Sequence, residues 1–159
     1  MLVPVEIASF AVDPARNSPL IIIKETSGQR TLALPIGPLE ASAIAIQSLN
    51  VQAEKPLTVD LVKLVMNRLG GSLTRVIIYD YDQQAFLARL CVSNGTAIDH
   101  IDCRPCDALA LAIRCAAPIF VEDKVFAKSS KGESLSESEM LRRHIGSLDT
   151  ADFGRYYLE

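Results

Sequence analysis

Residues Pro38–Ile46 and Pro105–Ile113 follow one pattern: Pro, any residue, an acid, Ala, any residue, Ala, an aliphatic residue, Ala, Ile. The offset of 67 residues extends backwards without a gap, pairing Gly28 with Gly95, Leu20 with Leu87 and Asp13 with Asp80. A repeat constrains a fold strongly, because both copies have to be built from one supersecondary unit. Eight identities between residues 5–50 and 72–117 are few, but they keep a single register with matching strand and turn signals. We therefore read the chain as an internal duplication.

Each half has the same grammar. Val5–Val12 and Leu73–Tyr81 are rich in β-branched and apolar residues and read as first strands. Pro19–Glu25 and Ala85–Ser93 read as second strands, followed by turns at Ser27-Gly28 and Asn94-Gly95. Arg30–Ile36 and Ala97–Ile101 read as third strands, and the short connections imply antiparallel meanders. A helix then opens on Pro38 or Pro105, where the missing N–H costs nothing, with Glu40 or Asp107 in the first turn against the helix dipole. Between the halves, Thr58 is the expected N-cap of a helix over Val59–Leu69, stopped by Gly70-Gly71. Its apolar face is Leu61, Val62, Val65 and Leu69, which we expect to be buried, with Asp60, Lys63 and Asn67 pointing away. Pro118–Glu122 is a short strand signal. Residues 128–138 are rich in Ser, Lys and Glu, and a further helix is expected from a Ser136/Glu139 capping box to Gly146. The expected fold class is α+β. Pseudo-duplicated β(3)-α units form a mixed or antiparallel sheet with packed helices over residues 1–127, and a flexible segment with a helical arm follows over 128–159.

A chain of 159 residues suits this plan, and at 49% hydrophobic it can fill a core. No apolar run reaches the length of a membrane span, and the N-terminus lacks a signal-peptide pattern, so the expectation is a cytoplasmic protein. The net charge is −3 without any basic run, which disfavours a protein held to nucleic acid mainly by phosphate neutralisation. An enzyme meeting phosphate through a metal ion and one or two placed arginines remains open.

Positions that serve only the fold should look alike in both copies, so the departures are informative. Against Pro35-Ile36-Gly37-Pro38-Leu39-Glu40 stands Asp102-Cys103-Arg104-Pro105-Cys106-Asp107, and Gln47 is answered by Arg114. Asp102 ends a strand, Asp107 lies in the next helix's first turn, and Arg114 follows two turns later on the same face. If a local two-fold relates the halves, Glu40 approaches from the partner helix. Asp102, Asp107 and Glu40 are then candidate ligands for Mg²⁺ or Mn²⁺, with Asp60 as a secondary candidate. Arg104 and Arg114 are candidates for holding phosphate or orienting the acids, and Asp102, Arg104 and Asp107 for the catalytic group. The alternative is structural: acids in helix first turns cap, and Arg114 pairs with a buried carboxylate. Cys103-Arg104-Pro105-Cys106 resembles a thiol-exchange motif, but its flanking acids work against a thiolate.

The blocks Ile36-Gly37-Pro38-Leu39-Glu40-Ala41, Lys55-Pro56-Leu57-Thr58-Val59-Asp60-Leu61 and Asp102-Cys103-Arg104-Pro105-Cys106-Asp107-Ala108 resemble the bifunctional nuclease family, as does the ending Asp152-Phe153-Gly154-Arg155-Tyr156. The resemblance implies a compact α+β domain and, from plant members, cleavage of both DNA and RNA. Two positions depart from the family pattern. Val59 stands where the family has His before the Asp of Thr-His-Asp-Leu, and Cys106 stands where it has Ser. Taken together, the expectation is a hydrolase acting on DNA and RNA phosphodiesters, without a membrane segment. It is expected to be a homo-oligomer, because open sheets leave edges to cover.

Overall fold

The computed structural model describes residues 1–13, 17–28, 30–48, 54–83 and 85–129. The first half supplies β1 (Leu2–Asp13), β2 (Ser18–Glu25), β3 (Thr31–Pro35) and α1 (Pro38–Ser48). After α2 (Thr58–Arg68), the second half repeats the order with β4 (Ser72–Asp82), β5 (Ala85–Ser93), β6 (Ile98–Cys103) and α3 (Pro105–Cys115). The chain then forms β7 (Ile119–Glu122) and α4 (Asp123–Ser129). The expected helix from Ser136 and the tail at Asp152–Tyr156 lie outside the described residues.

Seven strands form one mixed sheet in the order β3-β2-β1-β7-β4-β5-β6. Each half is an antiparallel meander, and β7 is wedged between the two. β7 runs antiparallel to β1 and parallel to β4, so β1 and β4 point in opposite directions. The two β-β-β-α modules are thus arranged about a pseudo-two-fold passing near β7.

Register decides which face each residue occupies, because directly opposed residues share a side of the sheet. Val76, Ile78 and Ala88 face the helices, and so do Ile21, Ile23, Leu32 and Leu34. They join Ile44 of α1, Leu109 of α3 and Val125 of α4 in one continuous core. The opposite face carries Arg75, Ile77, Arg89, Cys91, His100 and Asp102, matched by the pairs Ile77/Arg89, Arg75/Cys91, Cys91/His100 and Arg89/Asp102. The helices form one layer, and β6 leaves an outer edge at the end of the sheet.

Two local features correct the sequence expectations. First, α4 was not anticipated. A helix of seven residues presents too short a pattern to read, yet it buries Val125 and Phe126, and Lys128 donates to Asp80 at 2.6 Å. Second, α2 is rotated relative to its apolar stripe. Leu57, not Thr58, is the N-cap, and its N–H donates to Asp60 Oδ2 at 2.9 Å. Asp60 and Lys63 face the body of the protein, where both bond to Arg114. Leu61, Val62, Val65 and Leu69 face outward, and none of the residues of α2 is buried. The physical reason is electrostatic: a guanidinium buried under α2 needs a carboxylate, and that need sets the helix's rotation.

α3 ends where Ala116 turns left-handed, with φ at +50°. Its N–H reaches Ile113 O at 3.3 Å and that of Ala117 reaches Ala112 O at 2.9 Å, which satisfies the last carbonyls. An L residue with a Cβ is strained there. Ala116→Gly is therefore expected to raise the unfolding free energy by about 0.5–1 kcal/mol, read from urea denaturation midpoints at unchanged m-value.

Candidate functional site

The polar corner begins where β6 hands over to α3. Arg104 is the N-cap of α3 with extended backbone, Pro105 takes the first helical position, and the Ala108 N–H bonds to Arg104 O at 3.1 Å. The Arg104 guanidinium grips Asp107 with two donors, Nε to Oδ2 at 2.8 Å and Nη2 to Oδ1 at 3.0 Å. Its remaining nitrogen, Nη1, lies 3.1 Å from Glu40 Oε1. The duplication expected Glu40 to approach from the partner helix, and the structure does bring it there. Gly37 makes room for this carboxylate: a Cβ on Gly37 would come within 2.2 Å of Glu40 Oε2. One exposed guanidinium thus joins the first turns of α1 and α3, with the Arg104 side chain 67% accessible.

Asp102 does not join this group. Strand alternation turns it to the face away from the helices, opposite Arg89, while Cys103 turns inward and packs against the core. The Asp102 carboxylate lies 3.7 Å from Arg89 Nε, too long for a hydrogen bond, and Arg89 stacks on the Tyr79 ring at 3.8 Å. Arg89 and Tyr79 are residues that the sequence reading missed. The signal was available, since closing the hairpin at Asn94-Gly95 pairs Ser93 with Ile98 and so places Arg89 opposite Asp102.

Arg114 and Asp60 form a second, separate cluster. Arg114 is buried, and its guanidinium donates to Asp60 of α2, to Ala110 O at 3.2 Å within α3 and to Ala43 O at 3.1 Å in α1. Lys63 donates to the Arg114 carbonyl. All three donor nitrogens are used, and three helices are tied together. For Arg114 and Asp60 the geometry matches the structural alternative, an ion pair that holds the fold.

Among the described residues no group of three His, Cys, Asp or Glu side chains is placed to hold a metal ion. Glu40 and Asp107 are the two carboxylates that share one corner. That number matches the way Mg²⁺ is commonly bound, through one or two carboxylates with substrate phosphates completing its shell. The nearby thiols are suppressed. Burial, then the charges of Asp107 and Asp102, push Cys103 up to about 11, and burial with Asp107 raises Cys106 despite the opposing pull of Arg104.

Residues 21–134 match the bifunctional nuclease domain family. An uncharacterized protein of Mycobacterium tuberculosis is 34% identical over 125 residues, spanning 79% of this chain and 74% of that protein. Bifunctional nuclease 1 of Arabidopsis thaliana and bifunctional nuclease 2 of Oryza sativa subsp. japonica are each 32% identical over 108 residues, or 65% of this chain. The matched region is 33% of the length of each plant protein.

Two outcomes follow from the geometry. Arg114→Ala strands the Asp60 carboxylate and two helix contacts, so it is expected to cost about 3–5 kcal/mol of stability in denaturant unfolding, whereas Arg104→Ala leaves the unfolding transition nearly in place. Alkylation of Cys103 by iodoacetamide, followed by peptide mass spectrometry, is expected to be slow at neutral pH and to accelerate only towards pH 11, because the thiolate is the attacking species.

Proposed function

Because the chain belongs to the bifunctional nuclease domain family, we propose that it hydrolyses phosphodiester bonds in DNA and RNA at the corner formed by Arg104, Asp107 and Glu40. The observation that carries this reading is the exposure of Arg104. A guanidinium whose fork is already aimed at carboxylate oxygens can exchange one of them for phosphate oxygens, which match the same geometry. It sits over the first turns of two helices, where free N–H groups and helix dipoles favour an anion. The plant relatives that bear the nuclease name support the choice of substrate.

In this proposal Arg104 orients the phosphodiester and offsets its charge. Asp107 and Glu40, freed from part of their ion pairing as Arg104 turns to phosphate, are left to accept a proton from water or to hold a divalent cation. Mg²⁺ or Mn²⁺, when bound there, supplies Lewis-acid polarisation of the phosphoryl oxygen. Asp102 stands on the other face of β6 and enters the proposal as a flanking acid that Arg89 keeps in place. Val59 replaces the family's His beside Asp60, and in this structure that helix serves the Arg114 clasp, so the proposed chemistry is assigned to the Arg104 corner instead.

A second reading, a non-catalytic binding or assembly module, is favoured by one observation: the Arg114–Asp60 pair lies within the fold and does structural work. The two readings separate in one assay. Purified full-length protein is incubated with single-stranded DNA and with RNA in Mg²⁺, Mn²⁺ or EDTA, beside Arg104→Ala and Asp107→Asn. The expected result is chelator-sensitive cleavage, reduced about 100-fold in Arg104→Ala while its circular dichroism is unchanged. Absence of cleavage in every condition, or undiminished cleavage by Arg104→Ala, overturns the proposal in favour of the module.

A further inference from the structure

The outward face of α2 is mostly apolar. Leu61 and Val65 are half exposed, Val62 and Leu64 nearly so, and Leu69 is 81% exposed. They fall on one side of the helix, with Thr58 and Arg68 set among them and no acidic side chain. Two bonds fix this orientation from beneath, Asp60 to Arg114 and Lys63 to the Arg114 carbonyl, with Val59 and Met66 packed against the core beside them. Rolling the helix to bury its leucines would break both bonds and leave Arg114 buried without a counter-charge. The exposure is therefore built into the fold.

We propose that this face is covered by the same face of a second copy of the chain, with α2 packed antiparallel on its counterpart about a two-fold near Val65. Three arguments select this occupant. The largest apolar patch on a monomer, typically about 300–600 Å², is often functional, and one helix face provides about that much. Two such faces with their polar rims bury an area near the lower limit of specific interfaces, roughly 1,200 Å² in total, which suits a self-association of micromolar strength. The stripe is also self-complementary. With Val65 on the axis, Leu61 of each copy meets Leu69 of the other, as an isologous contact requires. Antiparallel packing opposes the two helix dipoles and sets the two Arg68 side chains on opposite sides of the axis, whereas a parallel pair would bring them together. The proposal is independent of the nuclease reading, since α2 presents its outer side here and none of the Arg104 corner.

The test is sedimentation equilibrium on the full-length protein and on Val65→Asp. The parent is expected to dimerise reversibly, and Val65→Asp to weaken association at least about 100-fold, because the buried charge enters twice across the axis. A second variant guards against misfolding. Val65→Cys, treated with diamide as the two-electron oxidant, is expected to give a covalent dimer through one symmetric disulfide, which the parent with its four native cysteines does not give. A parent that stays monomeric well above micromolar concentration overturns the proposal. A dimer indifferent to Val65→Asp and without the cross-link also overturns it and moves the contact to another surface, such as the β6 edge.

Discussion

The Arg114 guanidinium is the interaction on which the arrangement of the helices depends. It is the one charged side chain counted as buried among the described residues, and it reaches three helices at once. Removing such an ion from water costs several kcal/mol, which the surrounding carbonyls and the Asp60 carboxylate have to offset. α2 contributes that carboxylate, so it cannot choose its rotation by hydrophobicity alone. The outcome is a helix that turns Asp60 and Lys63 inward beside Val59 and Met66 and leaves its leucines outside, against the usual amphipathic rule.

The duplication explains why this clasp exists on one side only. The equivalent position in the first module is Gln47, which carries no charge to neutralise. α2 follows the first module in sequence but packs mainly on α3 of the second. A single guanidinium at one of two equivalent positions is enough to break the symmetry of the scaffold and decide where the linking helix docks. The Arg104 corner is a second departure, and it differs in character. It stays at the surface, its donors are shared between two carboxylates, and nothing buried depends on it.

The hairpins and helix starts were legible because their signals are local. Asn94-Gly95 and Pro105 each act within a few residues, and Ala85–Ser93 was read to the residue. The approach of Glu40 to Arg104 was also legible, since it follows from matched modules about a two-fold. The rotation of α2 was not. Apolar spacing reports which side of a helix is greasy, and it cannot report that an arginine 54 positions away from Asp60 will claim the other side. Asp102 illustrates a reading that was available and not used. Cys103 belongs to the inward face, so its neighbour had to turn outward, away from Asp107. The place of β7 between β1 and β4 depends on long-range pairing that no short window contains.

That central strand has a consequence for how the molecule comes into being. β7 spans Ile119–Glu122, after both modules have already been made, yet among the described residues it is the strand that joins their two meanders. As synthesis proceeds from the N-terminus, β1 and β4 emerge as raw borders with no neighbour on one flank until residue 122 has left the ribosome. Joining them requires closing a loop of more than a hundred residues from β1, a slow step that exposes unpaired backbone in the interval. The scaffold therefore trades early closure for a keystone laid last.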